Sequence, residues 1–220
     1  MMSVTDKEHY TRLRNEMVER QIKARGIRNA AIVEAMREVP REQFVLEQYR
    51  ASAYDDSPLP IPAGQTISQP YVVALMIRAL HPRADDRTLE VGSGSGYAAA
   101  ILSRIVREVH AVERHEELVE YSRQRLSALG YDNVHVHHGD GSKGWADAST
   151  FKGILVSASG PNVPKALEKQ LAVGGRLVMP IGRARGMQNL IRLTRKSEDN
   201  YQEKDLGGVR FVPLIGEEGW

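Results

Sequence analysis

The sequence of 220 residues contains no cysteine. The absence of thiols excludes disulfide bonds, cysteine nucleophiles and zinc sites built from thiolates, and it fits a reducing compartment. No stretch approaches the roughly 18 consecutive apolar residues of a membrane-spanning helix. The first residues, Met1 to Tyr10, are polar and of mixed charge, unlike a signal peptide. We therefore expect a cytoplasmic protein without a membrane partner.

The sequence also lacks an excess of charge of one sign. The 30 lysines and arginines are balanced by 28 aspartates and glutamates. Nucleic-acid-binding domains usually cluster basic residues on one face. Here the basic residues between Arg20 and Arg28 closely follow acidic ones, Glu16 and Glu19. We therefore expect no nucleic-acid partner. His135 and His137 share one face of a predicted strand, but no further ligand cluster accompanies them, so we expect no metal site.

The pattern of apolar residues changes near residue 80. Before it, two helical stretches and a proline-rich loop at 57–64 predict a helical cap. From Arg87 onwards, short apolar strands alternate with helices, which predicts right-handed crossovers and a parallel sheet covered on both faces. The apolar stretches 189–194 and 206–214 have no helix between them and predict an antiparallel edge.

We therefore predict an α/β, doubly wound fold with antiparallel C-terminal edge strands. The chain is expected to form a single domain, 1–220, in which residues 1–80 form the N-terminal helical cap and residues 81–216 form the core. The apolar fraction of 41% and the charged fraction of 26% are typical of a globular protein of this kind.

A glycine-rich turn, Glu90-Val-Gly-Ser-Gly-Ser-Gly96, follows the first predicted core strand. Glycine allows the tight turn and the close approach of backbone to a ligand. Glu113 ends the next predicted strand, where an acidic residue accepts hydrogen bonds from ribose hydroxyls in Rossmann-like sites. Tyr97 stands where a dinucleotide pattern needs its last glycine, and no lysine of a phosphate-binding loop follows. The pattern favours a ligand with ribose and adenine but no phosphate.

The segment Gly139-Asp140-Gly141 follows the third predicted core strand. Ligands of open α/β sheets bind beyond the carboxyl ends of the strands. We therefore expect Asp140 beside the adenine amino group, although an ordinary Asp-Gly turn is the alternative interpretation.

The glycine-rich turn resembles that of the S-adenosylmethionine-dependent methyltransferases. The segments Val39–Glu42, Pro58–Ile61, Gly64–Pro70 and Val209–Leu214 resemble the protein-L-isoaspartate (D-aspartate) O-methyltransferase family. The resemblance extends from about Met17 to Gly216 and implies a Rossmann-like methyltransferase fold. Two departures are small: serine replaces the usual threonine at Ser93, and Val-Ser-Ala-Ser replaces a more usual Val-Thr-Ala-Ala after the fourth strand.

The resemblance implies an enzyme that repairs damaged protein. It would transfer a methyl group from S-adenosyl-L-methionine to the free α-carboxylate of L-isoaspartyl and D-aspartyl residues in proteins and peptides, leaving S-adenosyl-L-homocysteine. The ester then closes to a succinimide, which hydrolyses partly to normal aspartate. Because the carboxylate is already ionised at neutral pH, no general base is expected. Catalysis would depend on alignment, which contributes roughly 7–11 kcal/mol in favourable cases.

The resemblance also implies individual roles. Ser68 would orient the attacking carboxylate, with an N-cap of the helix behind Pro70 as the alternative or additional role. Thr66, Ile67 and Val212 would line the peptide groove. The expected cofactor-binding residues are Glu90, Gly92, Ser93, Gly94, Ser95, Gly96, Glu113, Arg114, Asp140 and Gly141.

Two other classes of function remain open at this point. One is a methyltransferase of the same fold that acts on another carboxylate, a small molecule or RNA. Amino-methylating nucleic-acid enzymes usually carry D/N-P-P-Y after the fourth strand, where this chain has Ile154 to Pro161 without that motif. The other is a cofactor-binding protein without activity, against which the presence of Glu113 and Ser68 argues.

Overall fold

A computed structural model describes residues 4–145 and 150–220. The helices are α1 (Val4–Met17), α2 (Ala30–Glu38), α3 (Pro70–Leu80), α4 (Tyr97–Ser103), α5 (Glu116–Ala128) and α6 (Lys165–Gln170). The strands are β1 (Leu59–Pro60), β2 (Thr66–Ile67), β3 (Arg87–Val91), β4 (Glu108–Glu113), β5 (Val134–His138), β6 (Phe151–Val156), β7 (Leu171–Gly182), β8 (Gln188–Arg195) and β9 (Tyr201–Val209). A π-helical turn, Val18–Lys23, continues α1.

The main sheet has the strand order β5-β4-β3-β6-β7-β8-β9. The strands from β5 to β7 are parallel neighbours, whereas β8 and β9 are antiparallel. Helices α4, α5 and α6 connect β3 to β4, β4 to β5 and β6 to β7, as the alternating pattern predicts. This architecture confirms the predicted α/β fold with an antiparallel C-terminal edge. β1 and β2 form a separate two-stranded ribbon, which carries the loop ahead of α3.

The last strand lies earlier in the chain than the sequence predicts. The apolar pattern predicts a strand at 206–214, but β9 ends at Val209. β9 is a largely exposed edge strand, so its first residues lack the apolar alternation that would identify them. The segment after it contains Pro213, which has no N–H to donate to a ladder and forms only an isolated bridge to Ser159.

The sheet contributes side chains to two apolar clusters because successive residues of a strand point to opposite faces. Leu89 and Ile154 belong to the cluster that includes α6. Leu155 and Val178 belong to the larger cluster, which also contains the apolar faces of α2, α3, α4 and α5. The helical cap therefore shares its core with one face of the sheet.

A buried arginine joins the cap to the glycine-rich turn. Arg41 is fully buried, and its Nε donates to the carbonyl oxygen of Ala53 at 2.7 Å. Its guanidinium lies 4.7 Å from the ring centroid of Tyr97, the first residue of α4. Burial lowers the pKa of Arg41, while Tyr97 acts in the opposite direction. Because Tyr97 directly follows the glycine-rich turn, the contact between Arg41 and Tyr97 packs the cap against the end of that turn.

We propose that the cap and the core unfold as one domain, and Met36 tests this. Met36 is fully buried in α2, whereas both tryptophans lie outside the cap. Trp145 follows β5, and Nε1 of Trp220 donates to the carbonyl oxygen of Ser159 in the core. We expect Met36→Ala to lower the free energy of unfolding by about 2–5 kcal/mol. Urea unfolding followed by tryptophan fluorescence and by circular dichroism should shift equally. The exposed Val173→Ala is the control, and a fluorescence transition unchanged by Met36→Ala would contradict the proposal.

Candidate active site

The carboxyl ends of β3, β4 and β6 meet beside the β1–β2 ribbon and enclose a cavity of about 250 Å³, here called the strand-end cavity. Its lining includes several of the residues that the sequence singled out. These are Thr66, Gly92, Gly94, Glu113, Arg114, Gly141 and Val212. The cavity lies where ligands of open α/β sheets bind.

Glu113 connects two of the loops around this cavity. One carboxylate oxygen accepts a hydrogen bond from the amide of Gly94, and the other accepts from the amide of His115, both at 3.0 Å. A carboxylate has about four acceptor positions, so each oxygen retains capacity for a further donor. Glu113 therefore fixes the glycine-rich turn against the end of β4 while facing the strand-end cavity.

Two glycines in the loops are required by local geometry. Gly92 lies at φ 82°, a backbone conformation that residues with a Cβ rarely adopt. A Cβ on Gly141 would lie 2.5 Å from Cγ1 of Val91, well inside van der Waals contact. The loop after β5 can therefore approach the end of β3 only with glycine at this position.

Glu90 is buried, with 1% of its surface exposed. The amide of Ala99 in the first turn of α4 donates to it, whereas its Oε2 has no hydrogen-bond partner among the described residues. Burial, followed by the nearby charge of Glu113, raises the pKa of Glu90 well above its ordinary value of 4.5. The Oγ of Ser93 is also buried and unpartnered in the described chain. Polar atoms are thus available to a ligand under the turn.

Two further cavities adjoin the strand-end cavity. The inner cavity, of about 40 Å³, is bordered by Ile67, Ser68, Glu90, Ser93 and Ser95 among others. The outer cleft, of about 320 Å³, is bordered by Ser68 and Val212 and by the apolar side chains of Met187 and Phe211. Ser68 therefore lies between a small space that polar side chains border and a larger cleft with apolar side chains in its lining.

The hydroxyl of Ser68 forms no hydrogen bond within the described chain. The N-cap of α3 is Gln69, and no side chain caps that helix end. The alternative interpretation of Ser68 as an N-cap is therefore wrong. Its hydroxyl is available to a group that enters either adjoining cavity.

Thr66 and Ser157 border the strand-end cavity, the inner cavity and the outer cleft. Ser157 follows β6 directly, and its amide donates to the carbonyl oxygen of Val91 at 2.8 Å. No residue pattern in the sequence singles out Ser157. Its only signal is its position directly after β6, because ligands of open α/β sheets bind beyond the strand ends.

Asp140 is engaged by the end of the chain. Its Oδ1 accepts from the amide and the hydroxyl of Ser142, and its Oδ2 accepts from the amide of Glu217 at 2.9 Å. Burial acts to raise the pKa of Asp140, but these hydrogen bonds outweigh it and lower that pKa. Asp140 does not border the strand-end cavity, although the adjacent Gly141 does. Gly96 also lies outside the lining and is the N-cap residue of α4.

The histidine pair noted in the sequence lies on β5 beside β4. A ring nitrogen of His137 lies 3.1 Å from one of His110, and the ring of His137 stacks on Trp145 at 3.7 Å. Within residues 4–145 and 150–220, no group of three or more metal-ligating side chains lies close enough to hold an ion. In the same part of the chain, no helix is long and apolar enough to cross a lipid bilayer.

A parallel sheet with a glycine-rich turn after β3 and an acidic residue at the end of β4 defines a Rossmann-like methyltransferase fold. The family model of protein-L-isoaspartate(D-aspartate) O-methyltransferase matches residues 12–219. A protein-L-isoaspartate O-methyltransferase of Pelobacter propionicus is 56% identical, over 94% of this chain and 92% of that one. One of Rhodopseudomonas palustris is 52% identical, over 98% of this chain and 88% of that one.

Solved structures agree with these relatives. A protein-L-isoaspartate O-methyltransferase superposes with a TM-score of 0.84 at 28% identity, over 93% of this chain and 67% of that one. A Plasmodium falciparum protein assigned to the same activity, in complex with S-adenosyl-L-homocysteine, gives a TM-score of 0.78 at 28% identity, over 92% and 98% of the two chains. The chain belongs to the protein-L-isoaspartate (D-aspartate) O-methyltransferase family.

The raised pKa of Glu90 predicts a specific dependence of stability on pH. Glu90 binds its proton more tightly in the folded protein, so the free energy of unfolding falls as pH rises above 4.5. Glu90→Gln removes this titration and keeps the side-chain shape. We expect the variant to gain stability relative to wild type with rising pH, by at most about 1.4 kcal/mol per unit.

Urea unfolding at a series of pH values measures this difference. The matched control is Glu203→Gln, which removes an exposed carboxylate on β9 and should give a difference that does not change with pH. A constant difference between Glu90→Gln and wild type from pH 4.5 to neutrality would show that the pKa of Glu90 is ordinary.

Proposed function

We propose that this protein transfers a methyl group from S-adenosyl-L-methionine to the free α-carboxylate of L-isoaspartyl and D-aspartyl residues in proteins and peptides. The observation that supports this proposal most directly is the junction of three spaces at Thr66 and Ser157. The strand-end cavity suits a nucleoside, the inner cavity is bordered by polar atoms, and the outer cleft has apolar side chains in its lining. A methyl donor in the first and a peptide in the last would therefore both contact Thr66 and Ser157.

S-adenosyl-L-methionine supplies, when bound, a methyl group that is already activated on a sulfonium. The residues at the strand-end cavity fit such a ligand, because Glu113 retains acceptor capacity for hydroxyl donors and the turn carries unpartnered buried polar atoms. In this proposal the ligand contacts come from Glu90, Gly92, Ser93, Gly94, Ser95, Gly96, Glu113, Arg114 and Gly141. Asp140 contributes by holding the loop that carries Gly141, and a direct contact with adenine would need its carboxylate to accept a further donor.

Ser68 orients the attacking carboxylate in this proposal, and Thr66, Ile67 and Val212 border the peptide main chain. Two observations support these assignments. The Ser68 hydroxyl has no partner in the described chain, and neither does the amide of Val212, whose carbonyl oxygen accepts from the amide of Ser159. Both residues border the outer cleft, so a free hydroxyl and a free amide there can bind a carboxylate and a peptide carbonyl.

The mechanism requires no general base, because a carboxylate with a reference pKa of about 3.5 is ionised at neutral pH. The contribution of the chain is to position the acceptor and to exclude water that would hydrate both charges. We also propose a cytoplasmic location, for which the absence of cysteine is supporting evidence.

Transfer of a labelled methyl group to a pair of isomeric peptides tests the proposed function. One peptide carries isoaspartate and the other normal aspartate, in the same flanking sequence. The carboxylates have the same charge but leave the main chain at points that differ by one methylene. Because a misplacement of about 1 Å can cost ~10²-fold in rate, we expect methylation of the isoaspartyl peptide to be favoured by about that factor. Equal labelling would leave only a carboxyl methyltransferase without repair specificity.

Ser68→Ala tests the assigned positioning of the acceptor. Loss of one hydrogen bond to a charged group, worth roughly 1.5–3 kcal/mol, should lower kcat/KM for the isoaspartyl peptide by about ten- to a hundredfold. Affinity for S-adenosyl-L-homocysteine, measured by calorimetry, should stay unchanged. Ser127→Ala, on the exposed face of α5, is the matched control. Full activity in the Ser68 variant would remove Ser68 from the site.

A further inference from the structure

A second concave site lies at the amino ends of the parallel strands, on the opposite edge of the sheet from the strand-end cavity. It has a volume of about 430 Å³ and is here called the basic cleft. Its lining comprises Leu80, His81, Arg83, Asp85, Asp86, Lys152, Gly174 and Arg176. The five residues of β3 separate it from the candidate active site, a distance of about 16 Å. Nothing in the proposed function uses this cleft.

Further positive charge lies directly behind this lining. A terminal guanidinium nitrogen of Arg192 lies 3.4 Å from Nε2 of His81. The Nε of Arg192 is buried and has no hydrogen-bond partner within the described chain. Val178 pairs with Arg192 across β7 and β8, while Arg176 pairs with Thr194. Since Arg176 and Val178 are two residues apart, Arg176 and Arg192 project from the same face of the sheet as diagonal neighbours.

The nearby negative charges do not balance this group. Among residues 4–145 and 150–220, no carboxylate forms an ion pair with Arg78, Arg83, Arg176 or Arg192. Asp86 accepts from the backbone amide of Arg83 at 2.8 Å and so belongs to the turn before β3. Lys152 donates to a backbone carbonyl, that of Val173, and Asp85 is the remaining carboxylate of the lining. The end of α3 adds about half a negative charge, less than the excess of positive charge.

The titration of the cleft reflects this imbalance. Burial lowers the pKa of His81, and the charges of Arg176, Arg192 and Arg78 lower it further. Burial and then the charges of Arg192 and Arg83 lower the pKa of Arg176, against a smaller opposing effect of Asp86. Positive groups from α3, β7, β8 and the loop before β3 therefore repel one another in a partly dehydrated space. A bound anion would relieve that repulsion.

We propose that the basic cleft binds a multivalent oxyanion of the phosphate class. Guanidinium groups present planar pairs of donors that match the oxygens of such anions. The cleft is also concave and of the size of a small-molecule site, which is roughly 300–1,000 Å³. It can hold inorganic phosphate, a diphosphate or the phosphate end of a small metabolite. A nucleic-acid duplex is too large to enter it.

Calorimetric titration of the full chain with sodium sulfate and with inorganic pyrophosphate tests the proposal, at an ionic strength kept constant with chloride. We expect saturable binding of one anion per chain. Arg176→Gln should weaken it by at least about tenfold, since it removes hydrogen bonds to a charged group. Arg192→Gln, which removes a positive charge from behind the lining, should weaken it as well. Arg12→Gln, which removes the same charge from an exposed ion pair on α1, should leave the affinity unchanged.

A second readout uses sulfate, which keeps its double charge throughout the neutral range. Because a bound anion favours the protonated imidazole, sulfate should bind more tightly as pH falls. His81→Asn should abolish this pH dependence, and asparagine tolerates the left-handed backbone of this position, φ 51°. Circular dichroism confirms that each variant is folded, and Arg176→Lys replaces Arg176→Gln if the latter is not.

Two results would overturn the proposal. The first is the absence of saturable binding to the wild type with either anion. The second is equal weakening by Arg12→Gln and Arg176→Gln, which would show a general effect of net charge. Methyl transfer to the isoaspartyl peptide by the wild type is measured in parallel without added anion. If the wild type transferred no methyl group, the proposed function would be contradicted, while the proposal of an anion site would be unaffected.

Discussion

The carboxylate of Glu113 is the constraint on which the rest of the site depends. It accepts one hydrogen bond from a backbone amide of the glycine-rich turn and one from a backbone amide after its own strand. The two loops come from neighbouring strands, β3 and β4, so the carboxylate fixes the gap between them, where the proposed function places the nucleoside of the cofactor. The turn in turn leads into α4, whose first residue, Tyr97, lies over the buried Arg41 of the cap. The site and the sheet are thereby joined through Glu113, and the cap is joined to them through the contact of Arg41 with Tyr97.

The order of the core elements could be predicted because their apolar periodicity reflects burial. Strands such as β6 are covered on both faces and are largely apolar, whereas α3 carries an apolar stripe. β9 was misplaced for the same reason, since an exposed edge strand leaves little apolar pattern. Phe211, Val212 and Leu214 are apolar because they line cavities and contact the core, although they pair with no strand. Burial and strand pairing are separate properties there.

The candidate site was predictable residue by residue only where a side chain type carries the chemistry. Glu113 and the glycines are required by their charge and backbone freedom, and both are visible in the sequence. Ser157 is a small side chain whose importance comes from its position between three cavities. Asp140 is held by the backbone amide of Glu217, an interaction that any residue but proline could provide at that position. Neither arrangement leaves a signature in residue types.

The shared walls at Thr66 and Ser157 have a consequence for how such a site can evolve. A larger side chain at either position would narrow the strand-end cavity, the inner cavity and the outer cleft together. If the proposed function holds, the affinities for methyl donor and peptide are therefore coupled, and one substitution would alter both. Divergence of peptide preference is freer at positions such as Met187 and Phe211, which border the outer cleft alone of the three. We infer that peptide specificity changes through substitutions at Met187 and Phe211, whereas Thr66 and Ser157 stay constrained.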